Sequence, residues 1–79
     1  MKEQIKKFIV EEIMEEPNYE LEDDYEIIEE SLIDSTEILK IVIFLEENFD
    51  IEIDNEEVTI DNFNSINDIY DFAMKKKSE

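Results

Sequence analysis

Ser35 sits in the run Leu32-Ile33-Asp34-Ser35-Thr36, directly ahead of a long stretch with helical apolar spacing, and its hydroxyl is the group in this chain best placed to do chemistry. A serine there could be a nucleophile, an attachment point or a helix cap, and taken alone it is most often a cap. The chain has no histidine and no cysteine, so it offers neither the usual general base for a serine nor a thiolate. Activation would have to come from a partner, which suits a serine modified in trans and disfavours a serine hydrolase. A second chemistry is written in acids: Asp50, Glu52, Asp54, Glu56 and Asp61 fall on positions 1, 3, 5, 7 and 12 of a calcium-loop spacing. Position 6 is Asn55 in place of the glycine of the sharp turn, position 12 is Asp61 in place of a bidentate glutamate, and Ile51 and Ile53 belong to packing. The expectation is no dedicated metal site, only weak divalent binding by an acidic surface. Paired carboxylates for glycosidase-like work carry less still, because 25 acids produce such spacings by chance and a short chain has no cleft to shift their pKa values.

Length and charge narrow the classes further. Seventy-nine residues make one domain, 1–79, with room for a single core and surface sites. The net charge of -18 is concentrated: residues 17–61 hold 17 acids against Lys40 alone and contribute -16, residues 1–16 contribute -2, and residues 62–79 contribute 0. Such a field repels nucleic acid and anionic lipid and speeds encounter with basic protein surfaces. The opposing reading is disorder, since 41% charged residues can prevent collapse, but 42% hydrophobic content is high for a disordered tail. Met1 to Ile13 carries Glu3, Glu11 and Glu12, which a secretory signal would not, and the longest uncharged apolar run, Ile41 to Leu45, is too short for a bilayer. A soluble, cytoplasmic, monomeric protein with no membrane and no nucleic-acid partner is expected.

The elements that must position these residues are helical. Glu3 to Glu16 carries Ile5, Phe8, Ile9 and Ile13 on one face, and Pro17-Asn18 is expected to end it. Tyr19 to Ile33 has no period but holds Leu21, Tyr25, Ile27, Ile28, Leu32 and Ile33 among many acids, and reads as a long loop partly pinned to the core. A second helix opens at Asp34-Ser35, where Asp34 and Glu37 have the spacing of a capping box and acids suit the first turn. Ile38, Ile41, Val42, Leu45 and Phe49 then repeat on one face, while Leu39, Ile43 and Phe44 widen the stripe and provide for a partner. Asn48 to Asn55 is turn-like, with Ile51 and Ile53 pointing inward, and Glu56 to Asp61 is a candidate short helical turn. The last helix starts at Ser65, capped with Asp68, and carries Ile66, Ile69, Tyr70 and Ala73, with Lys75, Lys76 and Lys77 complementing its C-terminal dipole. With no glycine and no hairpin signal, an all-α bundle is the economical fold.

Together, Leu32-Ile33-Asp34-Ser35-Thr36, the helix Glu37 to Phe49 and the connection Ile51-Glu52-Ile53 resemble acyl and peptidyl carrier proteins. That family opens its second helix with a D-S-L motif, follows it with an apolar stripe ending in L-E-x-x-F, and continues into an I-x-I-like connection. The likeness runs from about Ile5 to about Met74 and includes the N-F-x-S-I segment at Asn62 to Ile66. It implies an all-α, four-helix bundle of acyl carrier type, with a long loop between helices 1 and 2 and a short third helix. It further implies that Ser35 is esterified by 4'-phosphopantetheine from coenzyme A, and that Asp34 caps the helix and helps present magnesium to the transferase. Thr36 departs from the leucine of D-S-L, Leu32 stands near a position where many members have glycine, and Lys40 is unusual on a face the family keeps acidic. These departures bear on which transferase and partners are recognised and lean toward a specialised carrier.

The function expected from the resemblance is a non-enzymatic carrier that holds acyl or aminoacyl groups as thioesters on the arm at Ser35, for fatty acid, polyketide or related biosynthesis. Its partners would be a phosphopantetheinyl transferase and the loading enzymes and synthases that use basic docking surfaces. Glu37, Glu46 and Glu47 would steer those surfaces, Thr36 and Ile43 would give the contact its apolar centre, and Lys40 would lie beside them. The alternatives are an aminoacyl, peptidyl or D-alanyl carrier, or an acidic interaction module that uses the same helix without a prosthetic group.

Overall fold

A computed structural model describes residues 2–78; residues 1 and 79 of the expected 1–79 domain lie outside the described residues. Helix α1 covers Lys2–Phe8 and passes into a π-helical turn at Ile9–Ile13; α2 covers Ser35–Phe49, a 3-10 turn Asn55–Glu57, α3 Ile60–Phe63 and α4 Ile66–Lys77. Among the described residues there is no strand, and the fold is all-α. The radius of gyration is 11.5 Å, close to the ~12 Å of a folded domain of this length, so charge repulsion does not prevent collapse here. No helix among the described residues is long and apolar enough to cross a membrane.

The first helix departs from its expected outline at both its face and its end. Ile5, Ile9, Val10 and Ile13 are buried, whereas Phe8 is only partly so. In the π turn the Met14 N–H reaches back to the Ile9 carbonyl at 2.8 Å, and the wider ring turns less per residue, which brings Val10 inward beside Ile9. Phe8 instead stacks on Phe44 of α2 at 4.3 Å between ring centroids. The helix also stops at Ile13 and does not continue to Glu16. Glu15 takes a left-handed backbone (φ 57°), and Pro17 disfavours helical geometry at Glu16, so the break comes before the proline.

Helix α2 forms as its sequence pattern requires. Ile41, Val42, Leu45 and Phe49 are buried and Ile38 partly so, while Leu39 and Ile43 face outward, 54% and 55% exposed. The wide apolar stripe therefore splits into an inner face, an outer pair and Phe44 between them. Asn48 belongs to the last turn of this helix, donating to the Phe44 carbonyl at 2.9 Å, so the turn-like segment begins two residues later, at Asp50. There the chain leaves through a left-handed residue (φ 55°), a geometry glycine usually supplies but that aspartate tolerates. The segment Glu56 to Asp61 is divided between the 3-10 turn and α3.

Helix α4 begins at Ser65, whose buried hydroxyl accepts the Asp68 N–H at 3.1 Å, and it packs against α1, α2 and α3. Ile66, Ile69, Phe72 and Ala73 carry its buried face, with Phe72 tilted against Phe63 of α3. Its lysines do more than complement a dipole: Lys76 pairs with Glu57 at 2.9 Å, and Lys77 donates to the Phe49 carbonyl at the end of α2. The long loop closes over this core through Leu21, Ile27 and Ile33, all buried, with Tyr25, Ile28 and Leu32 packed alongside.

Candidate functional site

The start of α2 is built by a reciprocal exchange. Asp34 is extended and outside the helix, its Oδ1 accepts the Glu37 N–H, and Glu37 Oε1 accepts the Asp34 N–H, both at 2.9 Å. The Ile38 N–H bonds the Asp34 carbonyl at 3.0 Å. This capping box satisfies two of the amides that a helix start leaves open; those of Ser35 and Thr36 have no preceding turn to bond to. Ser35 is the first helical residue, exposed, and its hydroxyl takes no part in the cap. Serine is thus released from the structural role that most often explains it at a helix start.

The residues expected around Ser35 separate into two groups. Thr36, Lys40, Ile43 and Glu47 are exposed on one flank of α2. Lys40, Ile43 and Glu47, with Phe8, Glu12 and Phe44, line a shallow groove of about 290 Å³ between α1 and α2. Glu37 and Glu46 have structural duties instead. Glu37 is held in the cap, and Glu46 Oε2 accepts the Ile53 N–H at 3.0 Å, tying the Asp50 to Asp54 connection back onto α2. Leu39 and Phe8 were not among the expected contacts; the wide stripe points to Leu39, but only the contact between helices brings Phe8 to the groove.

Asn64 is the residue that sequence reasoning misses. Its Oδ1 accepts the N–H groups of Ile28 and Glu29 at 3.1 Å each, and its carbonyl accepts the Ile27 N–H at 2.7 Å. The Asn67 N–H bonds the Asp23 carbonyl nearby at 3.0 Å. The loop ahead of Ser35 is therefore tied to the connection between α3 and α4. It is also crowded with acids: the Glu26 carboxyl is raised above its ordinary value by its hydrogen bond to Glu29 and by the Glu29 charge. Asp23 is held lower by the hydrogen bond and charge of Lys6, 2.6 Å away.

The acids with calcium-loop spacing do not form a cage. Asp54 starts the 3-10 turn, its N–H bonding Glu57 Oε1 at 3.0 Å, while Ile51 is buried and Ile53 partly so. Among the described residues, no group of three or more His, Cys, Asp or Glu side chains converges so as to hold a metal ion. No family model matches the chain, and no curated protein or solved structure matches it either.

Proposed function

We propose that this chain is an acyl carrier protein in which Ser35 receives 4'-phosphopantetheine from coenzyme A. The observation that carries the reading is the exposed Ser35 hydroxyl at the first position of a 15-residue helix whose cap is supplied by its neighbour Asp34. The resemblance of the Asp34-Ser35 motif and the helix after it supports the same reading, as does the all-α fold with a long first connection and a short third helix. On this reading the helices form a four-helix bundle of the carrier type.

The residues present fit the group. A phosphodiester on Ser35 would lie beside the Ser35 and Thr36 amides, at the positive end of the α2 dipole, which helps accommodate its charge despite Asp34 and Glu37. When bound, the arm supplies a terminal thiol that holds acyl or aminoacyl groups as thioesters. In the transfer, Ser35 Oγ forms the bond to phosphorus, the pyrophosphate bond of coenzyme A breaks with departure of adenosine 3',5'-bisphosphate, and the hydroxyl proton passes to a base of the transferase. That base must be the partner's, since this chain has no histidine.

Loading enzymes and synthases with basic surfaces would approach the flank of α2. Glu47 and the surrounding acids steer them, while Ile43 and Leu39 offer apolar contact. The protein is then a cytoplasmic monomer that catalyses nothing itself. Incubation with coenzyme A, magnesium and a broad-specificity transferase, followed by intact mass measurement, tests the assignment: one added arm is expected, and an unchanged mass with several transferases contradicts it. The same exposed flank would serve an acidic interaction module, which would take no arm.

A further inference from the structure

Three consecutive backbone amides of the first loop close on one residue. Ile28 and Glu29 donate to the side-chain oxygen of Asn64, and Ile27 donates to its carbonyl. The turn then folds back, the Leu32 and Ile33 N–H groups both reaching the Ile27 carbonyl at 2.9 and 3.2 Å, with Ile27 and Ile33 buried. Asp34 and Ser35 follow Ile33 directly. The path from Asn64 to Ser35 is thus one tight turn with two buried anchors.

That turn needs holding. It carries Glu26, Glu29 and Glu30, with Glu22, Asp23 and Asp24 just ahead, and like charges on a segment without regular structure favour its expansion. Asn64 offers neutral oxygens as acceptors, so it ties the amides down without adding to the repulsion. Ser31, with a left-handed backbone (φ 59°), marks how sharply the chain reverses between the tie and the helix.

We infer that Asn64 is a positioning residue for the modification of Ser35, fixing the Ile27–Ile33 turn so that the surface leading into the serine meets the modifying enzyme in one arrangement. The inference rests on the carrier reading. Asn64 does not touch Ser35; it acts through the turn. Its loss should therefore weaken recognition of the chain and leave the chemistry at the hydroxyl intact.

The test compares the wild-type chain with Asn64→Ser, too short to reach both amides, Asn64→Asp, which keeps an acceptor, and Asn62→Ala, which removes a hydrogen bond to the Glu57 carbonyl elsewhere. Hydrogen exchange is read at the Ile28 and Glu29 amides, and the transfer to Ser35 is followed at varied chain concentration. Asn64→Ser should speed exchange at both amides about tenfold, the scale expected for losing two such bonds, and raise the KM of the transfer with kcat little changed. Asn64→Asp should recover part of both effects, and Asn62→Ala should show neither. Faster exchange with an unaltered KM would overturn the role. So would wild-type amides at Ile28 and Glu29 that exchange as fast as exposed Glu20, a result that needs no variant to fold. A wild-type chain that takes no arm would remove the carrier reading and this role together, whereas normal modification of both wild type and Asn64→Ser would remove only the role.

Discussion

Asp34 and Glu37 each accept the other's backbone N–H at 2.9 Å across the first turn of α2, and Ser35 lies between them with its hydroxyl outside the exchange. The cap and the candidate modification site are therefore separate residues, which makes them separable by mutation. Asp34→Ala should cost ~0.5–2 kcal/mol as a lost cap, with Asp34→Asn recovering most of it, while Ser35→Ala should stay within ~0.5 kcal/mol as an exposed substitution. Urea unfolding of the three variants checks the ranking. A Ser35→Ala cost as large as that of Asp34→Ala would assign the cap to the serine.

The exit from α2 holds an aspartate in a left-handed conformation, φ 55° and ψ 53°, where glycine has no steric penalty. Asp50→Gly should stabilise the fold by up to ~1 kcal/mol, helped by removal of one charge from the acidic middle of the chain. Asp50→Ala should be less stable than Asp50→Gly at the same position. Thermal melts of the two variants decide it, and an alanine variant as stable as the glycine variant would show that the backbone is not strained there.

Glu57 ties the 3-10 turn to α4, accepting the Asp54 N–H and pairing with Lys76, and these contacts hold its carboxyl below its ordinary value of 4.5. Because the folded pKa is the lower one, the contribution is full above the ordinary value and is lost as pH falls through the folded pKa. Glu57→Gln should lower the melting temperature most at neutral pH, and the gap from wild type should close on acidification below the carboxylate range. Glu26 has the opposite sign: its raised carboxyl takes up a proton more readily in the folded chain, so its contribution favours folding as pH falls. A Glu57→Gln gap constant with pH would show that the ion pair contributes nothing.

Much of this molecule is legible in its sequence where the determining contacts are local. The Asp34 and Glu37 spacing locates the start of α2, and the Ile38 to Phe49 period gives its buried face, because caps and helical faces are set within a few residues. The buried Leu21, Ile27 and Ile33 are readable as loop anchors simply because apolar side chains among so many acids have one favourable place to go. What is not legible depends on distance or backbone geometry. Asn64 meets partners 35 and 36 residues away, and no period announces it. Glu46 looks like another exposed acid until the Ile53 amide is brought to it. The π turn that draws Val10 inward, and the left-handed Glu15 that ends the helix before Pro17, are backbone choices the residue types permit without requiring.

The central claim is tested most directly by mapping the arm. The chain has four serines, of which Ser65 is buried as the α4 cap, Ser31 sits in the loop turn, and Ser78 donates to the Met74 carbonyl at the end of α4. Peptide mapping after incubation with coenzyme A, magnesium and a broad-specificity transferase should find phosphopantetheine on Ser35 alone, and Ser35→Ala should abolish the mass increase while circular dichroism remains that of the folded helical chain. An unmodified Ser35 in folded protein across several transferases, or an arm on another serine, would contradict the account.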